Sequence, residues 1–461
     1  MFETQRLMLK HPLAALLAIG LAAGCTENRG HDDAGTPPPD ADAALQARIA
    51  HAVRSIESDT CFAQPDTSQC EWAEYEIGPA QFHMAASTGE AILVIDGLDA
   101  GEYPELVRYR NRILGFYRID GESIVSQVLS VRLPRRLGDV LTAFAGPEFI
   151  PARVLTPISQ AMRTTYAALG SLSTPGHGGV VLGHLVDLVP EQPLVLLDMT
   201  HLFEVPPVLC QRPDDAAALD AATAHVAAVA AALRDVIAAH HVRFINASFG
   251  TTTATLAEQW ARQCGQPVPG SARLRQLVHV YDPIYDLLFH SDGVITAHAA
   301  AALGDPADFP FDQASPRYAN QVRVGYFSST RSGLDDAGRG TVHKADQYPP
   351  EGDADVFLNW GCEGLGVCAD LHYQLALFGL TVGTVPIMST SYVTPLAVAR
   401  LVNLRYAGHA GEPMSDALIQ TLEHELTPAL CGAGGAEPCV YQDPIAHHQL
   451  EVDRLFGAAP P

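Results

Sequence analysis

The sequence predicts an α/β fold in which helices cover both faces of a mostly parallel sheet. Four short apolar runs have the length and composition of buried strands: 91–95, 194–197, 242–245 and 294–297. A stretch rich in alanine and leucine, 215–240, predicts a long helix between the second and third runs. Strands that are apolar throughout and alternate with helices are typical of parallel sheets buried on both sides.

Composition bounds the class of protein and its partners. The chain has 461 residues and is 48% hydrophobic, which is sufficient for a large folded core. Its formal charge of −24 arises from 52 acidic and 28 basic residues, so nucleic acid and anionic lipid surfaces are unfavourable partners. Solubility is the simplest explanation of the charge.

The first residues have the pattern of an export signal. Arg6 and Lys10 precede an apolar run at 13–23, and small residues lead directly to Cys25. This arrangement resembles a bacterial lipoprotein signal, which implies that residues 1–24 are removed and that Cys25 is lipidated. The protein would then be held at a bacterial membrane, in the periplasm or at the cell surface. An ordinary signal peptide and a buried helix are the alternatives, and the apolar run is too short to span a bilayer.

The other eight cysteines fall into couples that are close in sequence. Export to an oxidising compartment makes disulfides the expected state. The preferred hypothesis pairs neighbours, although eight cysteines allow 105 connectivities. Zinc is a weaker alternative because no CxxC pair occurs. The expected pairs are Cys61 with Cys70, Cys210 with Cys264, Cys362 with Cys368, and Cys431 with Cys439.

Three separate segments supply an aspartate, a histidine and a serine in that order. They are 94–99 (Val-Ile-Asp-Gly-Leu-Asp), 177–183 (His-Gly-Gly-Val-Val-Leu-Gly) and 389–395 (Ser-Thr-Ser-Tyr-Val-Thr-Pro). A serine hydroxyl becomes a nucleophile when an imidazole takes its proton and a carboxylate orients that imidazole. The order aspartate, histidine, serine is the subtilisin arrangement of such a triad.

These segments resemble the signature blocks of the subtilisin-like serine proteases, the peptidase S8 family. Segment 245–250 (Ile-Asn-Ala-Ser-Phe-Gly) is similar to the family's substrate-binding strand, and segment 314–325 is similar to a later strand. The five segments span residues 91 to 408 in the family's order. The resemblance implies a subtilisin-like fold and an endopeptidase that forms an acyl-enzyme with a peptide or protein substrate.

The resemblance assigns each triad role to a residue. Asp96 would orient His177 and stabilise its charge, and His177 would take the proton of Ser391 and later protonate the leaving amine. Asp99 is an alternative to Asp96, because the aspartate block is one residue shorter than the family's. Asp96 is preferred because it directly follows the predicted strand.

Ser391 precedes a predicted helix at 392–406, with Pro395 expected in its first turn. The alternative role for Ser391 is that of a helix N-cap, although Ser389 and Thr390 are better placed as caps. The exposed amides at this helix start would help to hold an oxyanion.

Substrate and oxyanion contacts are also implied by the resemblance. Ser248, Phe249 and Gly250 would pair with an extended substrate backbone, or else form a buried strand end. Segment 294–300 lies where the family has the asparagine that donates to the oxyanion, and this chain has none there. His298 is the nearest polar side chain and is the expected donor, with a core histidine as the alternative.

Departures from the family pattern keep two other functions open. The missing asparagine, Gly179 in the histidine block and Ser389 in place of glycine favour a catalytically impaired pseudoprotease that binds peptides or acts as a scaffold. The same triad could instead hydrolyse an ester or another non-peptide acyl group.

No cofactor is expected, and calcium is suggested by the resemblance alone. His279, Asp282, Asp286 and His290 have spacings that could align metal ligands on one helix. Pro283 instead predicts that a helix starts there with Asp282 as its cap, so no metal site is expected.

The expected organisation has five parts, and we expect a monomer attached to the membrane through its lipid. The parts are a signal peptide at 1–24, a flexible tether at 25–45, an N-terminal extension at 46–90, a subtilisin-like catalytic domain at 91–412 and a C-terminal tail at 413–461.

Overall fold

The structure is a computed structural model in which most of the chain from residue 39 to residue 440 is described. The signal segment, Cys25 and the first part of the predicted tether lie outside the described residues. Those residues are 39–61, 70–77, 90–98, 107, 112–144, 155–166, 177–189, 192–301, 305–312, 318–334, 340–348, 354–362, 374–377, 380–384, 389–426 and 439–440.

The described strands include all four that the apolar runs predict. In chain order they are β1 Trp72–Ile77, β2 Ala91–Asp96, β3 Ile113–Asp120, β4 Ser123–Ser126, β5 Leu129–Pro134, β6 Leu194–Asp198, β7 Val242–Ala247, β8 Ile295–Ala299, β9 Gln321–Leu334, β10 Gly340–Tyr348, β11 Val356–Cys362, β12 Gln374–Leu377, β13 Leu380–Thr384 and β14 Cys439–Val440.

Ten of these strands form one mixed, mostly parallel sheet. Its order is β14-β10-β9-β8-β7-β2-β6-β3-β4, with β11 also paired to β9. Neighbours from β3 to β9 are parallel, as is β11 with β9, whereas β4, β10 and β14 run antiparallel to their neighbours. In chain order, β2 is the first strand of this sheet. The next parallel strands, β3 and β6, lie on one side of β2, and β7 lies on its other side. In open parallel sheets, ligands bind beyond the carboxyl ends of the strands at such a reversal.

The helices of the described residues cover both faces of this sheet. One hydrophobic core holds buried residues of α1–α4, α10 and α11, and a second holds those of α5–α9. The predicted α/β architecture is therefore confirmed. The helices are α1 Pro39–Glu57, α2 Arg135–Ala143, α3 Thr156–Thr165, α4 His177–Leu188, α5 Pro207–Gln211, α6 Ala216–Ala239, α7 Thr253–Gln263, α8 Ser271–Leu277, α9 Asp282–His290, α10 Thr390–Gly408 and α11 Asp416–Leu426.

The long helix predicted at 215–240 is α6. Asp215 caps it by accepting a hydrogen bond from the Ala217 amide, and one side of the helix, including Ala222, Val229 and Leu233, is buried in the second hydrophobic core. Among the described helices, α6 alone is long and apolar enough to cross a bilayer by length and composition. A third of its apolar 18-residue window is buried, on the side that contributes to the second hydrophobic core.

The folded body extends past the predicted domain boundaries on both sides. Residues 39–45, predicted as tether, belong to α1, because an alanine-rich segment favours a helix that can pack its apolar face. Ile49 and Ile56 of α1 and Ile419 of α11 are buried in the same core. In the described residues, α1 of the predicted extension and α11 of the predicted tail therefore pack into the core of the main domain.

Candidate functional site

Asp96 and His177 form a hydrogen-bonded couple at the carboxyl edge of the sheet. Asp96 is the last residue of β2, and its Oδ1 lies 2.7 Å from Nδ1 of His177, the first residue of α4. Asp96 is completely buried, whereas the side chain of His177 is 38% exposed. With Asp96 ionised, Nδ1 carries the hydrogen, which leaves Nε2 as an accessible base.

A glycine allows these two elements to meet. A Cβ on Gly178 would lie 2.6 Å from the carbonyl oxygen of Gly97 and 2.7 Å from Cδ2 of Leu98. The second residue of α4 therefore has no room for a side chain. The His-Gly pair of the sequence motif is explained by this close approach of helix to strand end.

The couple shifts the pKa of both members upward. Burial raises the pKa of Asp96, and the hydrogen bond and charge of His177 offset this only in part. Burial by itself lowers the pKa of His177, but the hydrogen bond and charge of Asp96 outweigh it, so the pKa of His177 lies above its ordinary value. His177 is therefore protonated at neutral pH more readily than a free imidazole.

Ser391 lies in the first turn of α10, with Ser389 as the N-cap of that helix. Ser389 Oγ accepts a hydrogen bond of 3.2 Å from the Ser391 amide. This confirms Ser389 as the cap and occupies an amide that could otherwise donate to an oxyanion. Pro395, expected in the first turn, lies further inside the helix because α10 begins at Thr390.

Helix α10 brings Ser391 to the same side of the sheet as His177. The ring of Tyr392, which follows Ser391, lies 5.2 Å from the ring of His177 between centroids. Among the described contacts there is no hydrogen bond between the Ser391 hydroxyl and His177. Catalytic hydrogen bonds are often long in the free enzyme and shorten when substrate binds.

The segment predicted to bind substrate contributes mainly buried side chains. Ser248 is 2% exposed and donates its hydroxyl proton to the Ser391 carbonyl at 2.8 Å. Phe249 is also buried, with its ring 4.9 Å from that of Phe203. Gly250 is partly exposed. The side chains of Ser248 and Phe249 are thus committed to internal contacts, and substrate pairing by this segment stays a prediction for its main chain.

His298 points to the face of the sheet opposite the triad helices. It lies on β8 in register with Ala247 and Arg323, and its ring packs against Phe249 and Phe289. The ring is completely buried, and burial lowers its pKa to about 4.

The side chain of Gln321 donates to Nδ1 of His298, which places the hydrogen on Nε2, and a hydrogen bond to the Phe249 backbone opposes the effect of burial on the pKa of His298. The geometry is that of a neutral core histidine. It gives no support to the expected oxyanion role, because side chains alternate between faces along a strand.

Two expected disulfides are formed. Cys61 is bonded to Cys70 and Cys210 to Cys264, as the neighbour pairing predicts. Disulfides are typical of an oxidising, exported environment. The other two predicted pairs are Cys362 with Cys368 and Cys431 with Cys439. Both pairs include side chains outside the described part of the structure, and Asp99 also lies outside it.

The histidine and aspartate cluster near α9 is an ordinary helix start. His279 lies in a preceding 3₁₀ turn and pairs with Asp282 at 3.0 Å, and Tyr281 takes the cap position expected for Asp282. Within the described ranges, no group of three or more candidate ligands could hold a metal ion.

A cavity of about 690 Å³ lies beside the carboxyl end of β3 and does not include the triad residues. Its walls include Arg118, Glu204 and His225 together with the Cys210–Cys264 disulfide. The cavity is therefore a separate feature from the Asp96–His177 couple.

Two polar residues of the site, Asn246 and Asp198, are not among the site residues predicted from the sequence. Asn246, completely buried on β7, donates from Nδ2 to Ser248 Oγ at 2.8 Å. Asp198 ends β6 in register with Asp96, and its charge contributes to raising the pKa of Asp96. A polar residue near the end of an otherwise apolar strand was the available signal for both.

Comparison of the sequence with protein-family models and with curated proteins gave no match.

Proposed function

We propose that this chain is a secreted serine endopeptidase of the subtilisin-like type, with Asp96, His177 and Ser391 as its triad. The observation that carries the proposal is the 2.7 Å hydrogen bond between Asp96 and His177 at the carboxyl edge of the sheet. The start of α10, with Ser391, lies beside that couple. The fold is proposed to be subtilisin-like because this arrangement joins the same three sequence blocks that carry the resemblance.

In the proposed reaction, Nε2 of His177 takes the hydroxyl proton of Ser391 while Oγ attacks the carbonyl carbon of the peptide. The tetrahedral intermediate collapses, the C–N bond breaks, and the leaving amine takes the proton from His177. Water then attacks the acyl-enzyme with the same proton transfers and releases the acid and free Ser391. Asp96 stabilises the imidazolium form of His177 throughout.

The environment of His177 suits this role. Its partial exposure allows substrate to approach Nε2, and its couple with buried Asp96 fixes the ring orientation. Donors for the oxyanion are proposed to be main-chain amides at the start of α10, since the His298 ring faces the other side of the sheet. The Ser391 amide would have to leave Ser389 Oγ to serve as one of them.

That hydrogen bond favours one second candidate function. A protein whose Ser391 amide is permanently capped by Ser389 would stabilise an oxyanion poorly and would act as a peptide-binding or scaffolding pseudoprotease. Loss of one oxyanion donor lowers kcat by about 10² to 10³. Hydrolysis of an ester is a related alternative, because esters require less stabilisation of the leaving group.

The cellular setting is proposed from the sequence signal together with the disulfides. We propose that the chain is exported, that Cys25 carries the lipid, and that the folded body stands at the bacterial envelope as a monomer acting on peptides or proteins. No cofactor is needed for the triad chemistry, and calcium remains an expectation of the resemblance. Detection of Cys25 as a diacylated N-terminus by mass spectrometry of membrane fractions would test the anchor.

The decisive test of function is covalent labelling of the purified protein with a fluorophosphonate serine probe. We expect labelling of the wild type on Ser391, its loss in Ser391→Ala, and digestion of unfolded casein by the wild type alone. Ser415→Ala is the matched control, because Ser415 also precedes a helix and accepts from the Leu418 amide. Labelling without digestion would indicate the esterase alternative, and absence of both would indicate the pseudoprotease.

A further inference from the structure

The main-chain carbonyl of Ser391 lacks its ordinary helical partner. In an α-helix the carbonyl of residue i accepts from the amide of residue i+4. For Ser391 that residue is Pro395, which has no N–H and whose ring crowds the carbonyl four residues earlier. The sequence of α10 therefore leaves one carbonyl open at the nucleophile itself.

Ser248 supplies the missing donor from the neighbouring strand. It follows the end of β7, and its hydroxyl donates to the Ser391 carbonyl at 2.8 Å. Asn246 Nδ2 donates to the same hydroxyl oxygen at 2.8 Å. Because Oγ accepts from Asn246, its own proton is directed to Ser391.

This chain of hydrogen bonds connects the nucleophile to the sheet that holds its partners. Strand β7 pairs directly with β2, with Asn246 opposite Val94 and Ala247 opposite Ile95. Asp96 is the next residue of β2. The Ser391 carbonyl is thus held from the end of β7, which pairs with the strand that ends in Asp96, and Asp96 in turn holds His177.

We infer that Ser248, oriented by Asn246, is a positioning residue for Ser391, and that Pro395 keeps the Ser391 carbonyl available to it. The inference rests on the proposed function, since positioning has a meaning only if Ser391 reacts. A residue that merely filled an unsatisfied carbonyl would affect folding alone. Displacement of reacting groups by about 1 Å can cost about 10² in rate.

A double-mutant cycle separates positioning from stability. Ser248→Ala should lower the melting temperature and slow fluorophosphonate labelling by about 10- to 100-fold. Pro395→Ala returns an amide that can bond the Ser391 carbonyl within the helix. The double variant should therefore recover the melting temperature lost in Ser248→Ala and still label slowly. The separate variant Ser248→Thr should label at the wild-type rate, because it keeps the hydroxyl.

Thr394→Ala is the matched control. Thr394 is buried in the same helix and donates a hydrogen bond of 2.8 Å to the Thr390 carbonyl, and among the described residues its hydroxyl makes no hydrogen bond to β7. It should lose stability without slower labelling. If folded Ser248→Ala labels at the wild-type rate, or if the double variant recovers rate and stability together, the positioning role is excluded. A wild type that takes no label would instead overturn the proposed function.

Discussion

Replacing Gly178 with alanine should separate the activity of this protein from its stability. The new Cβ would lie 2.6 Å from the Gly97 carbonyl oxygen and 2.7 Å from Cδ2 of Leu98. Ordinary contacts of carbon with oxygen and with carbon are about 3.3 and 3.5 Å or longer, so the start of α4 must move by about 0.7 Å. His177 adjoins Gly178, and its 2.7 Å hydrogen bond to Asp96 would lengthen to about 3.4 Å, beyond the usual range.

The expected loss of activity exceeds the expected loss of stability. Overpacking costs about 1–3 kcal/mol, whereas alanine in a helix is favoured over glycine by about 1 kcal/mol. The net free energy of unfolding should therefore fall by about 0–2 kcal/mol. The rate of fluorophosphonate labelling should fall by about 10²-fold, because the base is misplaced.

The assay compares labelling rate and thermal unfolding of Gly178→Ala with those of Gly408→Ala. Gly408 is also a helical glycine, but a Cβ there meets no atom within 4 Å. That control should be as stable as the wild type or more so, with unchanged labelling. A Gly178→Ala protein that is folded and labels at the wild-type rate would show that the close contact of α4 with β2 does not position His177.

Three further predictions concern pH and covalent structure. The rate of labelling should increase with pH through an apparent pKa above 6.5, because the hydrogen bond to Asp96 raises the pKa of His177 and only the neutral ring is a base. Asp96→Asn should shift this rise in rate to lower pH and slow labelling. Burial and then the charge of Asp355 raise the pKa of Glu423 to about 7, so its contribution to stability is present below about pH 4.5 and is lost as pH rises through 7. Glu423→Gln should therefore raise the urea midpoint at pH 8 by more than at pH 5, and equal effects at both would contradict this. Replacing Cys210 and Cys264 with serine should cost about 4 kcal/mol in urea unfolding, because their bond closes a loop with a sequence separation of 54; a change below about 1 kcal/mol would contradict this.

Most elements of the fold could be predicted because their signals are local. Four continuous apolar runs became β2, β6, β7 and β8, and the alanine-rich stretch became α6. Asp96 at a strand end and His177 at a helix start followed from the same local patterns. The extent of the domain could not be predicted, because the packing of α1 and α11 into the core depends on residues far away in the sequence.

The sequence by itself determined the position of the three proposed triad residues along the chain, and tertiary structure decided what surrounds them. His298 lies on a strand buried at every residue, so the sequence has no alternation that would indicate which face its ring takes. Pairing with β7 and β9 sets that face, and it is the one opposite α4 and α10. Likewise, the bond from Ser248 to Ser391 joins residues 143 apart and exists only because β7 and α10 meet beside β2. Local patterns fix the ends of strands and helices, whereas side-chain partners depend on register and packing, which are properties of the whole folded chain.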